Sequence, residues 1–150
     1  VLMAIDEINL NDSLLIVNMD QIFEYDLNEV ISDLSLNDAG VLSFESVHPR
    51  WAYVKCDEND FVLEAFEKKP VSKNAIAGFY YFNKAEFFIT SAFDMIKKDV
   101  NYKGKYFIAP ILNELILQDK KIINISIDKN RYFTFYSHAK INEYERIKNA

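Results

Sequence analysis

Leu14-Leu15-Ile16-Val17-Asn18-Met19-Asp20-Gln21 decides how this chain is read: a short apolar run delivers an acidic residue. Unbroken hydrophobicity over a few residues is the pattern of a strand covered on both faces in a largely parallel sheet, whereas alternation marks a half-buried strand. The strand is expected over Leu14 to Asn18, with Asp20 just past its C-terminal end. Ligands of open α/β sheets bind beyond the carboxyl ends of the strands, which makes Asp20 a candidate metal ligand. Magnesium takes hard oxygen donors, commonly one or two carboxylates with phosphates and water completing the shell. An Asp after a strand also caps turns, and spacing alone leaves both readings open.

The flanking sequence alternates helical and extended patterns. Val1, Leu2, Ala4, Ile5 and Ile8 have helical spacing, closed by polar Asn9 to Ser13; an opening inside such a pattern reads as the interior of a longer protein. A helix is expected from Asp26 or Leu27 to Leu34, then a strand from Val41 to Val47 released by Gly40. Trp51–Cys56 and Phe61–Phe66, joined by Asp57-Glu58-Asn59-Asp60, read as an antiparallel hairpin. Phe79–Phe82 forms a further strand. Asn83 with Glu86 has capping-box spacing and opens a helix to about Lys98. Pro110 suits the first turn of another helix, with Leu112, Leu115 and Ile116 facing inward. Ile122–Ile127 and Tyr132–Tyr136 are strand-like, and Ala139–Lys148 is a closing helix. The alternation predicts one α/β layered domain over residues 1–150, its sheet made mixed by the central hairpin.

Composition narrows the setting. A chain of 150 residues is long enough for a real core, and its twelve Phe and nine Tyr must largely be buried or line a pocket. The net charge of −6, with no run of Lys and Arg, argues against nucleic acid as a partner. No apolar run approaches the roughly 20 residues of a membrane helix, and Val1–Ile5 is too short for a signal peptide. The single Cys56 excludes an internal disulfide and fits a reducing compartment, so the cytoplasm is the expected location. Neither His48 nor Cys56 has a partner at ligand or nucleophile spacing.

Three further segments carry candidate chemistry. Glu67-Lys68-Lys69-Pro70 places a carboxylate and two ammonium groups on a loop, which is also the composition of an ordinary solvated loop. Ala75-Ile76-Ala77-Gly78-Phe79-Tyr80-Tyr81-Phe82 follows, with Gly78 as a turn or strand-entry residue. His48-Pro49-Arg50-Trp51-Ala52-Tyr53-Val54 offers Trp51 for stacking on a ring and Arg50 for pairing with phosphate; a Trp there also simply packs.

Taken in order, these segments resemble the sugar nucleotidyltransferases, and in a bacterial branch of them the Tyr106–Ile116 stretch with its Asn113-Glu114-Leu115-Ile116 helix has a counterpart. The resemblance runs from Val1 to about Tyr144. It implies a Rossmann-like, three-layer nucleotide-diphospho-sugar transferase fold with a mixed sheet, truncated at its N-terminus. It implies transfer of a nucleoside monophosphate from a nucleoside triphosphate to a sugar 1-phosphate or similar phosphorylated small molecule, by in-line displacement of pyrophosphate with Mg2+. By the same resemblance Asp20 is the metal ligand, Lys68 contacts phosphate, and Glu67 and Gly78 hold the acceptor, with Gln21 and Trp51 as further substrate contacts. Polysaccharide precursor supply is the setting it implies. Asn113 and Glu114 lie near the acceptor or only cap and solvate.

Three departures stand beside it. The Gly-rich Arg loop and Lys that bind base and triphosphate are not in this sequence, so the chain alone is not expected to turn over. Met19 stands where the family has a small residue, a side chain expected to crowd the triphosphate, and Thr134 and Tyr136-Ser137 stand where relatives supply a second metal carboxylate. A non-catalytic sugar- or nucleotide-binding domain on the same fold is the alternative, followed by a nucleotide-sugar-dependent glycosyltransferase. A sheet lacking its first strands exposes an open edge and apolar surface. The purified 150-residue chain is therefore expected to self-associate, and light scattering showing a clean monomer at high concentration would contradict this.

Overall fold

The computed structural model describes residues 1–149. Its centre is a six-stranded sheet. The strands are β1 (Leu14–Val17), β3 (Ala39–Glu45), β4 (Tyr53–Cys56), β5 (Val62–Phe66), β6 (Asn74–Phe82) and β7 (Ile122–Ser126). The main order is β5-β4-β6-β3-β7, and β1 pairs with β6. Only β3 and β7 run parallel; β1, β3 and β4 are antiparallel to β6, and β5 is antiparallel to β4. The mixed sheet was expected from the hairpin, but its largely parallel character was not found.

β6 is buried along nearly its whole length and separates two apolar clusters. Ile76, Tyr80 and Phe82 face one, with Phe88, Ala92 and Met95 of helix α2 (Ala85–Lys97) and Leu112 and Leu115 of α3 (Ile111–Leu117). Ala75, Ala77, Phe79 and Tyr81 face the other, with Val30 and Leu34 of α1 (Leu27–Leu34). A small antiparallel ribbon, β2 (Gln21–Phe23) with β8 (Tyr132–Thr134), covers that second face. Helix α4 (His138–Lys148) packs on the ribbon through Tyr144, whose ring lies 4.8 Å from Phe133 and 5.3 Å from Phe135. Helices on one face, sheet, and helix plus ribbon on the other make three layers.

Several local expectations change. β1 is an outer strand whose burial alternates: Leu14 and Ile16 meet the core while Leu15 and Val17 are exposed. An apolar run constrains burial less than pairing does, and β1 has one partner strand among the described residues. The first segment is a 3-10 helix over Leu2–Glu7. Asn83 does not cap α2; the cap position is Lys84, and the free N–H groups of Ala85 and Glu86 donate to the carbonyls of Asp12 at 2.7 Å and Leu10 at 3.0 Å. A neighbouring loop has taken the role of the capping side chain. α1 begins as expected, Asp26 accepting from the Asn28 N–H at 2.9 Å.

Asn113 and Glu114 are structural. Asn113 accepts from the Ala65 N–H at 2.8 Å and donates to the Ala65 carbonyl at 2.9 Å, sealing part of β5. Buried Glu114 accepts from Lys98 at 2.5 Å, joining the end of α2 to α3. Asn113→Ala is expected to lower unfolding free energy by roughly 2 kcal/mol, because two main-chain groups lose their partner; urea denaturation measures it.

Candidate active site at the exit of β1

The corner after β1 is built by main chain. The Asn18 N–H donates to the Gly78 carbonyl at 3.0 Å, and the Asp20 carbonyl accepts from the Phe135 N–H at 2.8 Å. Gln21 Nε2 donates to the same Gly78 carbonyl at 3.2 Å, while its Oε1 accepts from the Tyr132 hydroxyl at 3.0 Å. The Tyr132 hydroxyl also lies 3.2 Å from the Ala77 carbonyl. Burial, with the Asp20 charge second, pushes the Tyr132 phenol up, so it stays a proton donor.

Gly78 lies inside β6 rather than at its entry. Its φ of +62° is left-handed, and a Cβ there would sit 2.1 Å from Asn18 Nδ2. The β3–β6 register shifts across this point, between Val41 and Ser43, as a bulge requires. The close approach that this glycine makes is to the Asn18 side chain.

Beyond the corner opens a cleft of about 90 Å³, lined by Asn18, Asp20, Gln21, Arg50, Trp51, Tyr132, Thr134 and Tyr136. A larger cavity of about 440 Å³ adjoins it toward α4 and shares Trp51, Tyr132, Thr134 and Tyr136. Arg50 is delivered by a braced turn: its N–H donates to His48 Nδ1 at 3.2 Å, and the His48 carbonyl accepts from the Tyr53 hydroxyl at 2.7 Å. The guanidinium carbon stands 3.6 Å from the Tyr136 ring centre and 5.6 Å from that of Trp51. Trp51 in turn packs edge-on against Phe44 at 5.2 Å.

Asp20, Gln21 and Trp51 therefore come together as expected, with the Gly78 carbonyl tied to Gln21 behind them. Glu67 and Lys68 line neither opening. Lys68 has a left-handed backbone (φ 54°), and its ammonium lies over the rings of Phe107 at 4.5 Å and Tyr102 at 5.4 Å. Burial raises the Glu67 carboxyl above its usual range against the opposing charge of Lys68. Met19 is fully exposed and does not line the cleft. His48 is a turn brace, and burial pushes the Cys56 thiol up to about 11, which keeps it protonated. Asn18 and Tyr132 were missed; the usable signal was the period-two spacing of Tyr132, Thr134 and Tyr136, which puts all of them on one wall.

The protein offers a magnesium ion a single carboxylate here, so phosphate and water would have to supply most of its oxygens. Asp20 is the one carboxylate lining the cleft, and among the described residues no group of three His, Cys, Asp or Glu side chains comes together. The Gln21 amide is committed on both sides, Thr134 contributes a neutral hydroxyl, and a guanidinium shares the small space.

No protein-family description and no curated protein sequence matches the chain. Solved structures do. A nucleoside-diphosphate-sugar pyrophosphorylase from Vibrio cholerae superposes with a TM-score of 0.81 over 96% of this chain, at 21% identity. The chain has the fold of the sugar nucleotidyltransferases. A candidate glucose-1-phosphate thymidylyltransferase from Bacillus anthracis, solved with a sucrose, matches at a TM-score of 0.70 over 97% of this chain, at 19% identity. The chain spans 60% and 57% of the lengths of these two proteins. Among the described residues no helix is long and apolar enough to cross a membrane.

Two outcomes follow from the site. Gly78→Ala is expected to cost more than the roughly 1–2 kcal/mol of a left-handed backbone, since its Cβ also displaces Asn18; thermal and chemical unfolding would show it. The Glu67 pKa is raised on folding, so the folded state holds that proton more tightly. Its contribution is full below the unfolded carboxylate value and is lost as pH rises through the folded one. Glu67→Gln should flatten that decline in urea melts run upward in pH from the ordinary carboxylate range, about pH 4.

Proposed function

We propose that the protein containing this chain transfers a nucleotide from a nucleoside triphosphate to a phosphorylated sugar or similar small molecule, with release of pyrophosphate. The observation that carries the reading is the cleft at the exit of β1, which holds one carboxylate and one guanidinium beside an aromatic cavity. The fold likeness supports it. Phosphoryl-group chemistry asks for positioning and neutralisation of charge more than for covalent intermediates. Asp20 and Arg50 provide opposite charges at one place, and Trp51, shared by both openings, offers a face for a sugar or base ring. Glu67, partly desolvated, and Lys68, on the loop after β5, are assigned to the acceptor side in this reading.

A second reading has one specific observation behind it. Tyr136 and Arg50 line the cleft with Asp20 and no second carboxylate does, as suits a binding domain that has lost turnover. Assay of the protein encoded by the complete reading frame separates the two. Pyrophosphate release with a nucleoside triphosphate and a sugar 1-phosphate is the expected result, reduced at least about a hundredfold by Asp20→Ala. Turnover unchanged in that variant rejects the catalytic assignment, and binding without turnover selects the second reading.

A further inference from the structure

The cleft holds a single carboxylate and contains a cation of its own. From this we infer that its phosphate-bearing ligand is held by the Arg50 guanidinium and needs no divalent metal to bind. The inference rests on the nucleotidyl-transfer reading for the identity of the ligand, a phosphate monoester of a small molecule.

Arg50 is pre-positioned. His48 accepts its N–H at 3.2 Å, and the His48 N–H in turn donates to Ser46 Oγ at 3.3 Å, so the turn is fixed from both sides. The guanidinium carbon lies 3.6 Å from the Tyr136 ring centre, and no hydrogen bond among the described residues uses its N–H groups. Among the described residues it forms no ion pair, although Asp20 lines the same cleft. A planar fork that rests against a ring and has no ion-pair partner matches two oxygens of a phosphate. Thr134 adds a buried hydroxyl oxygen with no hydrogen-bond partner in the wall shared by the two openings.

The sign of the Asp20 effect makes the idea testable. Where a metal bridges Asp20 to the ligand, removing the carboxylate loses the ligand. Where the guanidinium rather than a metal holds the phosphate, removing a like charge leaves binding unchanged or tighter.

Calorimetry on the 150-residue chain with glucose 1-phosphate, glucose as the uncharged control, and either EDTA or magnesium decides between them. Expected are binding in EDTA, weakening of at least about tenfold in Arg50→Ala, a smaller loss in Arg50→Lys, and no weakening in Asp20→Asn. Arg50 is exposed, so the variants are expected to keep the parent's thermal melt. Binding that requires magnesium and disappears in Asp20→Asn overturns the inference but leaves nucleotidyl transfer standing. Binding indifferent to Arg50 also overturns it. Absence of binding under both conditions overturns it as well, while pyrophosphate release by the complete protein separately decides the parent reading.

Discussion

Asn18 meets the central strand at a point where residue 78 has no Cβ. That contact holds the corner after β1, because a methyl group at Gly78 would overlap the Asn18 amide and the left-handed turn of β6 would carry a further penalty. The bulge also aims the Gly78 carbonyl outward, where the Asn18 N–H and the Gln21 amide both use it. Gln21 then fixes Tyr132, and Tyr132 belongs to the ribbon that closes the second face. One irregularity in the most buried strand thus links the sheet, the ribbon and the cleft.

The cleft is electrostatically balanced by two groups that do not pair. The guanidinium favours an incoming anion and the carboxylate an incoming cation, and neither must first break an ion pair. Aromatic rings supply the walls and limit how far Arg50 wanders. Lys68 is turned aside onto Tyr102 and Phe107, so in this conformation the positive charge nearest Asp20 in the cleft is that of Arg50.

Much of the fold was legible because several elements have local signals. α1 with Asp26 as its cap, the β4–β5 hairpin and the Pro110 start of α3 all follow from nearby residues. The misses are tertiary. Leu14–Val17 looked sandwiched but lies at an outer position, since its apolar content says nothing of how many strands flank it. Asn83 lost its cap to the Asp12 and Leu10 carbonyls, which sequence spacing does not reveal. Asp20, Gln21 and Trp51, singled out by strand position and the ordered motifs, line one cleft. Glu67 and Lys68 were grouped with them by resemblance, yet the Lys68 side chain lies against the 102–107 segment. Tyr132 was hidden because β2, its partner strand, has only three residues.

The sheet's edges are unequal. Phe61, beside β5, forms an antiparallel bridge with Ile123 of β7, and the Asn124 N–H donates to the Asp60 carbonyl, so the outer strands of the main order lean on each other. Asn113 occupies the Ala65 groups of β5. β1, by contrast, presents a side with no strand on it among the described residues. Main-chain pairing therefore has a preferred direction of growth, and it is the one that leads to the cleft. A strand laid along β1 would run beside the segment that leads into Asn18 and Asp20, so pairing at this edge and access to the cleft are neighbouring events.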